Sequence, residues 1–412
     1  MADFSKLLPP LLVGKELSDS LSCLPEYSSD FRSLSSSDRL MKLTDLYRVF
    51  VPTSMSAEIY HKLYMMTSMS LRQKGNVSSI QQLNATYKWS HGGEFHGVAT
   101  GATSATIIGN SGIGKTSCIQ YAVEKLGGII EVDKPYHKVI PVLMVSCPFD
   151  ASYKGLLCQI LISIDEALDT AFYEKVGKGK MNSQQVLGLV CQLCHLYVGT
   201  LIVDEIQFVI EHKSGKQLYM MILQLINTSC INVLLVGTNE CIDFFKQAPQ
   251  MARRSVGLQY GPMEYDDEFR RVCQTLFRYQ YIKNEAILTE GMMNWLYEHS
   301  AGVLSSLVSL LHDAQEMAIL KGRETLGIES LTDAYNNRMK MLHGYIAPAK
   351  ITSTLPKTTQ IKEMDEAILP SPSEKLAYIA ATEKITEIVA VAVRDHEDVV
   401  KALQKYVTVV EL

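Results

Sequence analysis

The chain predicts an α/β protein: a P-loop domain with a five-stranded parallel sheet, followed by a small all-helical lid domain. Three observations carry that expectation. Short apolar runs at 105–108, 139–145, 201–203, 233–236 and 256–260 alternate with helical periodicity at 114–126, 152–170, 183–197 and 214–228. Apolar strands alternating with helices build a parallel sheet covered on both faces. After Tyr265 the strands stop, and 266–282, 289–300, 302–321 and 328–343 all read as helices. Between the first strand and the first helix, finally, lies a glycine-rich turn that ends in lysine and threonine.

With 412 residues the chain accommodates two or three domains. The expected organisation is an N-terminal extension over 1–95, the nucleotide-binding α/β domain over 96–264, the helical lid over 265–346, a linker over 347–373, and a tail over 374–412 that carries a docking helix. A hydrophobic content of 47% with 20% charged residues supports a packed core and excludes global disorder. The net charge of −5 carries no global basic signature, so contact with nucleic acid requires a local patch. No apolar run reaches the roughly 18 residues that span a bilayer. The opening MADFSKLLPPLL, broken by Pro9 and Pro10, has no signal-peptide layout. A soluble, intracellular protein with no membrane partner is expected. Nine cysteines, an odd and scattered set, read as reduced core residues and not as a disulfide framework.

Within the extension, the serine-rich stretch 28–37 reads as loop. Residues 57–73 read as an amphipathic helix with Ile59, Leu63, Met66 and Met69 on one face. Met65, Met66 and Met69 suit core filling or an interface. Gly92, Gly93 and Gly97 mark a turn-rich approach to the first strand, where His91 and His96 read as loop residues. Beyond the lid, Pro348, Pro356, Pro370 and Pro372 with interspersed Ser and Thr define the linker. Residues 373–393 read as a helix, and 395–412 as a shorter one. In the first of these, Leu376, Ile379, Ala380, Ile385, Ile388 and Val389 recur at helical spacing. Docking on a partner and packing back on the lid fit that helix equally.

Gly109, Asn110, Ser111, Gly112, Ile113, Gly114, Lys115 and Thr116 satisfy G-x-x-x-x-G-K-[ST] at every fixed position, and Ser117 follows. Glycines let backbone N–H groups turn inward around phosphate oxygens, and the helix N-terminus adds its positive end. Lys115 is expected to reach the outer phosphates of ATP and the Thr116 hydroxyl to ligate Mg²⁺. A chance glycine turn lacks this strand-loop-helix setting.

A second apolar run, Leu201-Ile202-Val203, ends in Asp204 and Glu205. Asp204 would hold Mg²⁺, usually through water, and Glu205 would polarise the attacking water. An ordinary strand end with solvated acids is the plainer reading, and the P-loop upstream argues against it. Val233-Leu234-Leu235-Val236 ends in Gly237, Thr238 and Asn239, so a third polar position lies at a strand end; a simple turn competes there. Arg253 and Arg254 follow just before the last strand. A guanidinium stabilises charge on a transferred phosphoryl group, and a solvated basic turn is the alternative.

Together these elements resemble the AAA+ ATPases. In that class the polar group after the third strand, here Asn239 or Thr238, is the sensor that positions the lytic water, and Arg253 and Arg254 resemble arginine fingers offered to a neighbouring subunit. The chain departs from the class pattern at Ser300-Ala301-Gly302-Val303-Leu304-Ser305-Ser306, where the lid often carries a sensor arginine and this chain has no basic residue. Within the class the chain resembles the TnsC/TniB regulators of DNA transposition, and TnsC most. The residues that carry this are Val203-Asp204-Glu205-Ile206-Gln207, Leu235-Val236-Gly237-Thr238 with Phe244 and Phe245, Ala252-Arg253-Arg254 with Gly257, and the lid segment from Trp295-Leu296-Tyr297-Glu298 to Ala314-Gln315. Leu8-Pro9-Pro10-Leu11 is similar to a short stretch near the TnsC start. The resemblance covers roughly residues 5–345.

That resemblance implies an ATPase whose hydrolysis is coupled to assembly and disassembly. ATP-bound subunits would form rings or helical filaments, hexameric or heptameric per turn, around double-stranded DNA without sequence preference. They would link a target selector of TniQ/TnsD type to transposase subunits, in some members within CRISPR-guided transposons, in the bacterial nucleoid. An initiator-like or signalling AAA+ ATPase is the alternative; a small-molecule P-loop kinase fits less well with Asp204-Glu205, Arg253-Arg254 and the lid. Candidate DNA contacts are Lys175, Lys178 and Lys180 in a glycine-spaced loop at 173–180, and Lys154 beside Tyr153. Such lysines follow phosphates without reading bases, and a solvated loop weighs equally. Cys191-Gln192-Leu193-Cys194-His195 spells a haem-attachment pattern but lies in a helical stretch without a second cysteine pair, so it reads as buried helix.

Overall fold

The computed structural model describes residues 3–74, 104–133, 136–150, 152–178, 181–208, 215–229, 231–242 and 255–340. The N-terminal segment contains α1 (Gly14–Leu21), α2 (Ser36–Lys42) and the long α3 (Ser54–Lys74). Strands β1 (Ser104–Gly109), β2 (Ile130–Asp133), β3 (Tyr136–Ser146), β4 (Val198–Asp204), β5 (Asn232–Gly237) and β6 (Ser255–Tyr260) form the sheet. Interleaved with them are α4 (Lys115–Lys125), α5 (Tyr153–Leu168), α6 (Phe172–Lys178), α7 (Ser183–Tyr197) and α8 (Gly215–Ser229). The lid is α9 (Asp267–Phe277), α10 (Glu290–Ser300), α11 (Leu304–Leu320) and α12 (Ile328–Asn337).

The strands lie in the order β2-β3-β4-β5-β1-β6. Five of them, β3, β4, β5, β1 and β6, run parallel, as the alternation predicts. The sheet has a sixth strand, which corrects the expected five: β2 pairs antiparallel with β3, from Ile130↔Val139 to Asp133↔Tyr136. The four residues Ile130-Glu131-Val132-Asp133 alternate apolar and acidic, too short and too polar a pattern to read as a core strand. They suit an edge with one face open to solvent.

All residues of β1, β4 and β5 are buried, the signature of central parallel strands covered on both sides. Alternate residues face opposite layers. Leu201, Val203, Val233 and Leu235 pack with α5, α7 and α8 through Leu157, Ile160, Val190 and Ile222. Ile202, Leu234, Val236, Ala105 and Ile107 pack with α4 and with α3 through Ile119, Ala122, Ile59, Leu63 and Met66. The N-terminal segment thus supplies half of the second layer. Polar anchors fix α3 on the sheet: Asn232 Nδ2 donates to the Met66 carbonyl at 2.5 Å, the Thr67 and Thr200 hydroxyls are 3.0 Å apart, and Lys74 Nζ donates to the carbonyls of Cys194 and His195 at the end of α7.

The helix expected at 57–73 is α3, and Ile59, Leu63 and Met66 are buried in it as predicted. Met69, placed on the same face, is instead 43% exposed, as Met65 is exposed. The stretch 28–37 is not plain loop, since it holds a 3₁₀ turn (Ser29–Ser33) and the start of α2, each capped by a serine hydroxyl. The glycine-spaced segment at 173–180 is also no loop as far as Lys178, because α6 occupies it. Cys191 and Cys194 are buried in α7, as the helical reading requires. The turn at 91–97 and everything from 341 onward, including the linker and the tail helix, fall outside the described residues.

Candidate nucleotide site

The site lies where ligands of parallel sheets sit, past the carboxyl ends of β1, β4 and β5. The turn from β1 to α4 runs through Gly112 and Gly114 with φ of +79° and +97°, the left-handed region that glycine enters at little cost. Gly114 is the N-cap of α4 and no side chain caps that end. The first N–H groups of α4, which have no acceptor within the helix, are therefore left for an anion.

Lys115 is buried, and its Nζ donates to the Gly109 and Asn110 carbonyls at 2.7 and 2.8 Å. Burial pushes the ammonium pKa down, while Asp204 and Glu205 pull it back up. The Thr116 hydroxyl donates to Asp204 Oδ2 at 2.9 Å, and Asp204 Oδ1 accepts from the Glu205 N–H at 2.8 Å. The phosphate turn and the acidic strand end, 88 residues apart in sequence, are thus joined by a direct hydrogen bond. Glu205 itself has φ +59°, a left-handed conformation uncommon for a side-chain-bearing residue. The Ile206 N–H donates to the Val236 carbonyl at 3.0 Å and pins the turn to β5.

A cavity of about 250 Å³ opens here, lined among others by Gly112, Lys115, Thr116, Ser117, Asp204, Glu205 and Thr238. Of the two sensor candidates, Thr238 but not Asn239 is among the lining residues. The Thr238 hydroxyl is buried without a hydrogen-bond partner among the described residues. Asn239 Nδ2 donates to Asn110 Oδ1 at 3.0 Å, and its Oδ1 is buried without a hydrogen-bond partner among the described residues. Two buried thiols sit nearby. Burial pushes Cys147 up to about 12 and Cys241 up to about 11, so both stay protonated and are poor nucleophiles.

Three cavity residues, Gly237, Ser305 and Gln207, were not singled out as site residues by sequence. Ser305, in the first turn of α11, donates its N–H to the Gly112 carbonyl at 3.0 Å. It belongs to the stretch conspicuous for its missing basic residue, so the lid meets the phosphate turn there with backbone and hydroxyl. Gln207 follows Glu205 by two residues and lines the same cavity. Arg253, Arg254 and Lys180 lie outside the described residues. Of the remaining lysines, Lys154 is in the first turn of α5 and Lys175 is in α6, its Nζ 5.2 Å from the centre of the Phe172 ring; Lys178 ends α6. Neither Lys154 nor Lys175 is among the residues lining the cavity.

The residues present fit ATP with Mg²⁺. The cradle needs two left-handed glycines and has them, and Lys115, the lysine expected to reach the phosphates, is buried at its base. The hydroxyl and carboxylate oxygens of Thr116 and Asp204 are 2.9 Å apart, close to the ~3.0 Å between neighbouring ligands of an octahedral ion with ~2.1 Å bonds. Cradle, carboxylate pair and helical lid on one mostly parallel sheet give the chain the P-loop fold of the AAA+ class.

Residues 95–260 match the family described as bacterial TniB protein. No curated protein matches the chain. Among solved structures it is similar to the Aeropyrum pernix ORC1 protein in complex with DNA, at 16% identity and TM-score 0.43 over 64% of each chain. It is also similar to Drosophila ORC bound to DNA, at 13% identity and TM-score 0.47, covering 99% of this chain and 86% of that one. The chain therefore spans just under two thirds of the archaeal relative. No described helix is long and apolar enough to cross a membrane.

Proposed function

We infer that this ATPase is a regulator of DNA transposition that binds ATP and Mg²⁺, assembles with its own copies on double-stranded DNA, and links a target selector to transposase subunits. The observation that carries the reading is the TniB match over the segment that builds the cradle and the carboxylate pair. In this reading Gly109 to Ser117 hold the phosphates, Lys115 faces the outer ones, and Thr116 and Asp204 hold Mg²⁺, which supplies charge neutralisation at the phosphates. Glu205 polarises the attacking water. Thr238 or Asn239 orients it, and Arg253 and Arg254 act on the site of a neighbouring copy. Domain divisions at 95, 264, 346 and 373 go with the same reading.

DNA contact rests on Lys154, Lys175, Lys178 and Lys180. Phosphate contacts by such residues neither read bases nor survive high salt. Lys175 and Lys178 stand on a helix, which fixes their spacing more firmly than a loop would.

The test is electron microscopy of the Glu205→Gln variant with ATP, Mg²⁺ and duplex DNA of unrelated sequences. Ordered oligomers on every duplex are expected, with ATP turnover lost and assembly retained. Monomers alone would remove the assembly reading, and assembly on one sequence only would favour an initiator-like protein. Normal turnover by the variant would remove Glu205 from its role.

A further inference from the structure

The Glu205 carboxylate poses a positioning problem. Its backbone is fixed: φ is +59°, its N–H is held by Asp204 Oδ1, and the next residue is pinned to β5 through the Val236 carbonyl. The side chain beyond Cα is a flexible rotor by itself. Among the described residues, the side-chain hydrogen bond given to this carboxylate comes from Gln207, whose Nε2 donates to Glu205 Oε2. Gln207 is anchored in turn. Ile206 beside it is 3% exposed and packs into the core under Gly237, and the Phe208 N–H donates to the Glu205 carbonyl at 3.3 Å, closing the turn.

The orientation of the Gln207 amide is set by charge. Its two ends look alike, but with the oxygen towards Glu205 it would face a carboxylate, acceptor against acceptor. With Nε2 on Glu205, Oε1 is directed at the end of β5, where it is buried and has no partner among the described residues. The carboxylate is therefore the group that holds this amide, and the amide in turn holds the carboxylate.

We propose that Gln207 is a positioning residue for ATP hydrolysis: it locks the Glu205 carboxylate in the orientation from which it polarises water. The proposal rests on the reading of Glu205 as that group, and the two fail separately. A hydrogen bond to a charged group is among the stronger ones. Loss of an interaction that acts on turnover and not on ligand binding lowers kcat and leaves KM in place.

The experiment measures steady-state ATP hydrolysis and the affinity for a slowly hydrolysed ATP analogue, in Gln207→Ala and in Gln207→Met, which keeps the side chain's length. Both are expected to lose about 10- to 100-fold in kcat, with KM and analogue affinity within about twofold of wild type. Gln207→Glu, which sets a like charge against Glu205, is expected to lose at least as much. The decisive arm combines Gln207→Met with Glu205→Gln in a single-turnover assay. If Gln207 acts through Glu205, the double variant is no slower than Glu205→Gln alone. Multiplying losses, an unchanged kcat in Gln207→Met, or a raised KM with kcat intact would each overturn the proposal. Normal hydrolysis by Glu205→Gln alone would instead remove the underlying role of Glu205, a result visible without any Gln207 variant.

Discussion

Gly112 shows how tightly single positions constrain this site. It combines a φ of +79° with a crowded neighbourhood, because a Cβ there would run into the Ser305 hydroxyl and lie 3.1 Å from Val303 Cγ1. Alanine at a left-handed position costs about 1–2 kcal/mol before any collision is counted. Gly112→Ala is therefore expected to weaken nucleotide binding by about tenfold or more, since the cradle and the lid cannot both keep their places. Gly128→Ala is the matched control, because open space surrounds that position and its φ is not left-handed. Titration with a fluorescent ATP analogue compares the two, and equal affinities would count against the cradle geometry. Sequence alone made the phosphate turn and Asp204-Glu205 legible, because such chemistry needs fixed residue types at fixed spacing. It did not reveal the roles of Ser305 or Gln207, whose types are common and whose importance comes from which backbone they approach.

Among elements, the parallel strands and lid helices were legible because burial imposes a periodic pattern. Edge and connecting pieces were not: β2 is short and half polar, and α6 hides behind the glycines and lysines of its sequence. The contribution of α2 was equally hidden, since much of it comes from one buried arginine whose partners lie far along the sequence. Arg39 is fully buried and donates to both carboxylate oxygens of Glu324 at 2.6 Å, and to the Tyr281 carbonyl at 2.8 Å. That pairing holds the Glu324 carboxyl below its usual range, chiefly through the Arg39 hydrogen bond. A carboxyl with a lowered folded pKa stabilises the fold above the ordinary glutamate range of about 4.3, and the contribution is lost as pH falls through the folded pKa. The Tm should thus fall as the medium is acidified below about pH 4. Glu324→Gln should lower Tm at pH 7, by about 3 kcal/mol in stability, because it leaves the Arg39 charge buried and unpaired. It should also flatten the acid dependence. Calorimetry from pH 7 to pH 3 checks both, and identical slopes would show that this pair does not set the acid response.

At the scale of the whole described molecule, the N-terminal segment joins the two cores. Cys23 and Phe50 exchange backbone hydrogen bonds of 3.0 and 2.8 Å, which close the chain between them into a loop. Both ends of that loop belong to the sheet core, where Leu17, Leu21 and Phe50 are buried and Phe50 stacks on Tyr121 at 4.1 Å. Its interior belongs to the lid: Leu43 and Leu46 are buried against α9 and α11, Tyr27 donates to the Gln280 carbonyl at 2.7 Å, and Arg39 holds Glu324. Beyond the loop, Ser54 bonds Glu268 of α9 through its N–H at 2.7 Å, and Arg271 of α9 donates to the Pro52 carbonyl at 2.7 Å. Direct sheet-to-lid bonds are few by comparison, with Ser305 to Gly112 among them. Two cores that share one segment should melt together, because neither can unfold without stripping apolar surface from the other. Trp295 in α10 reports on the lid, and with Trp89 replaced by Phe its fluorescence is read alone. Circular dichroism and Trp295 fluorescence are expected to give one coincident transition in the intact chain. Replacing residues 24–49 by a short turn between Cys23 and Phe50 should split it, with Trp295 changing at the lower temperature and bound ATP moving the upper transition. If the shortened chain still melts as one unit, the coupling runs through the phosphate turn and Ser305 and not through the N-terminal loop.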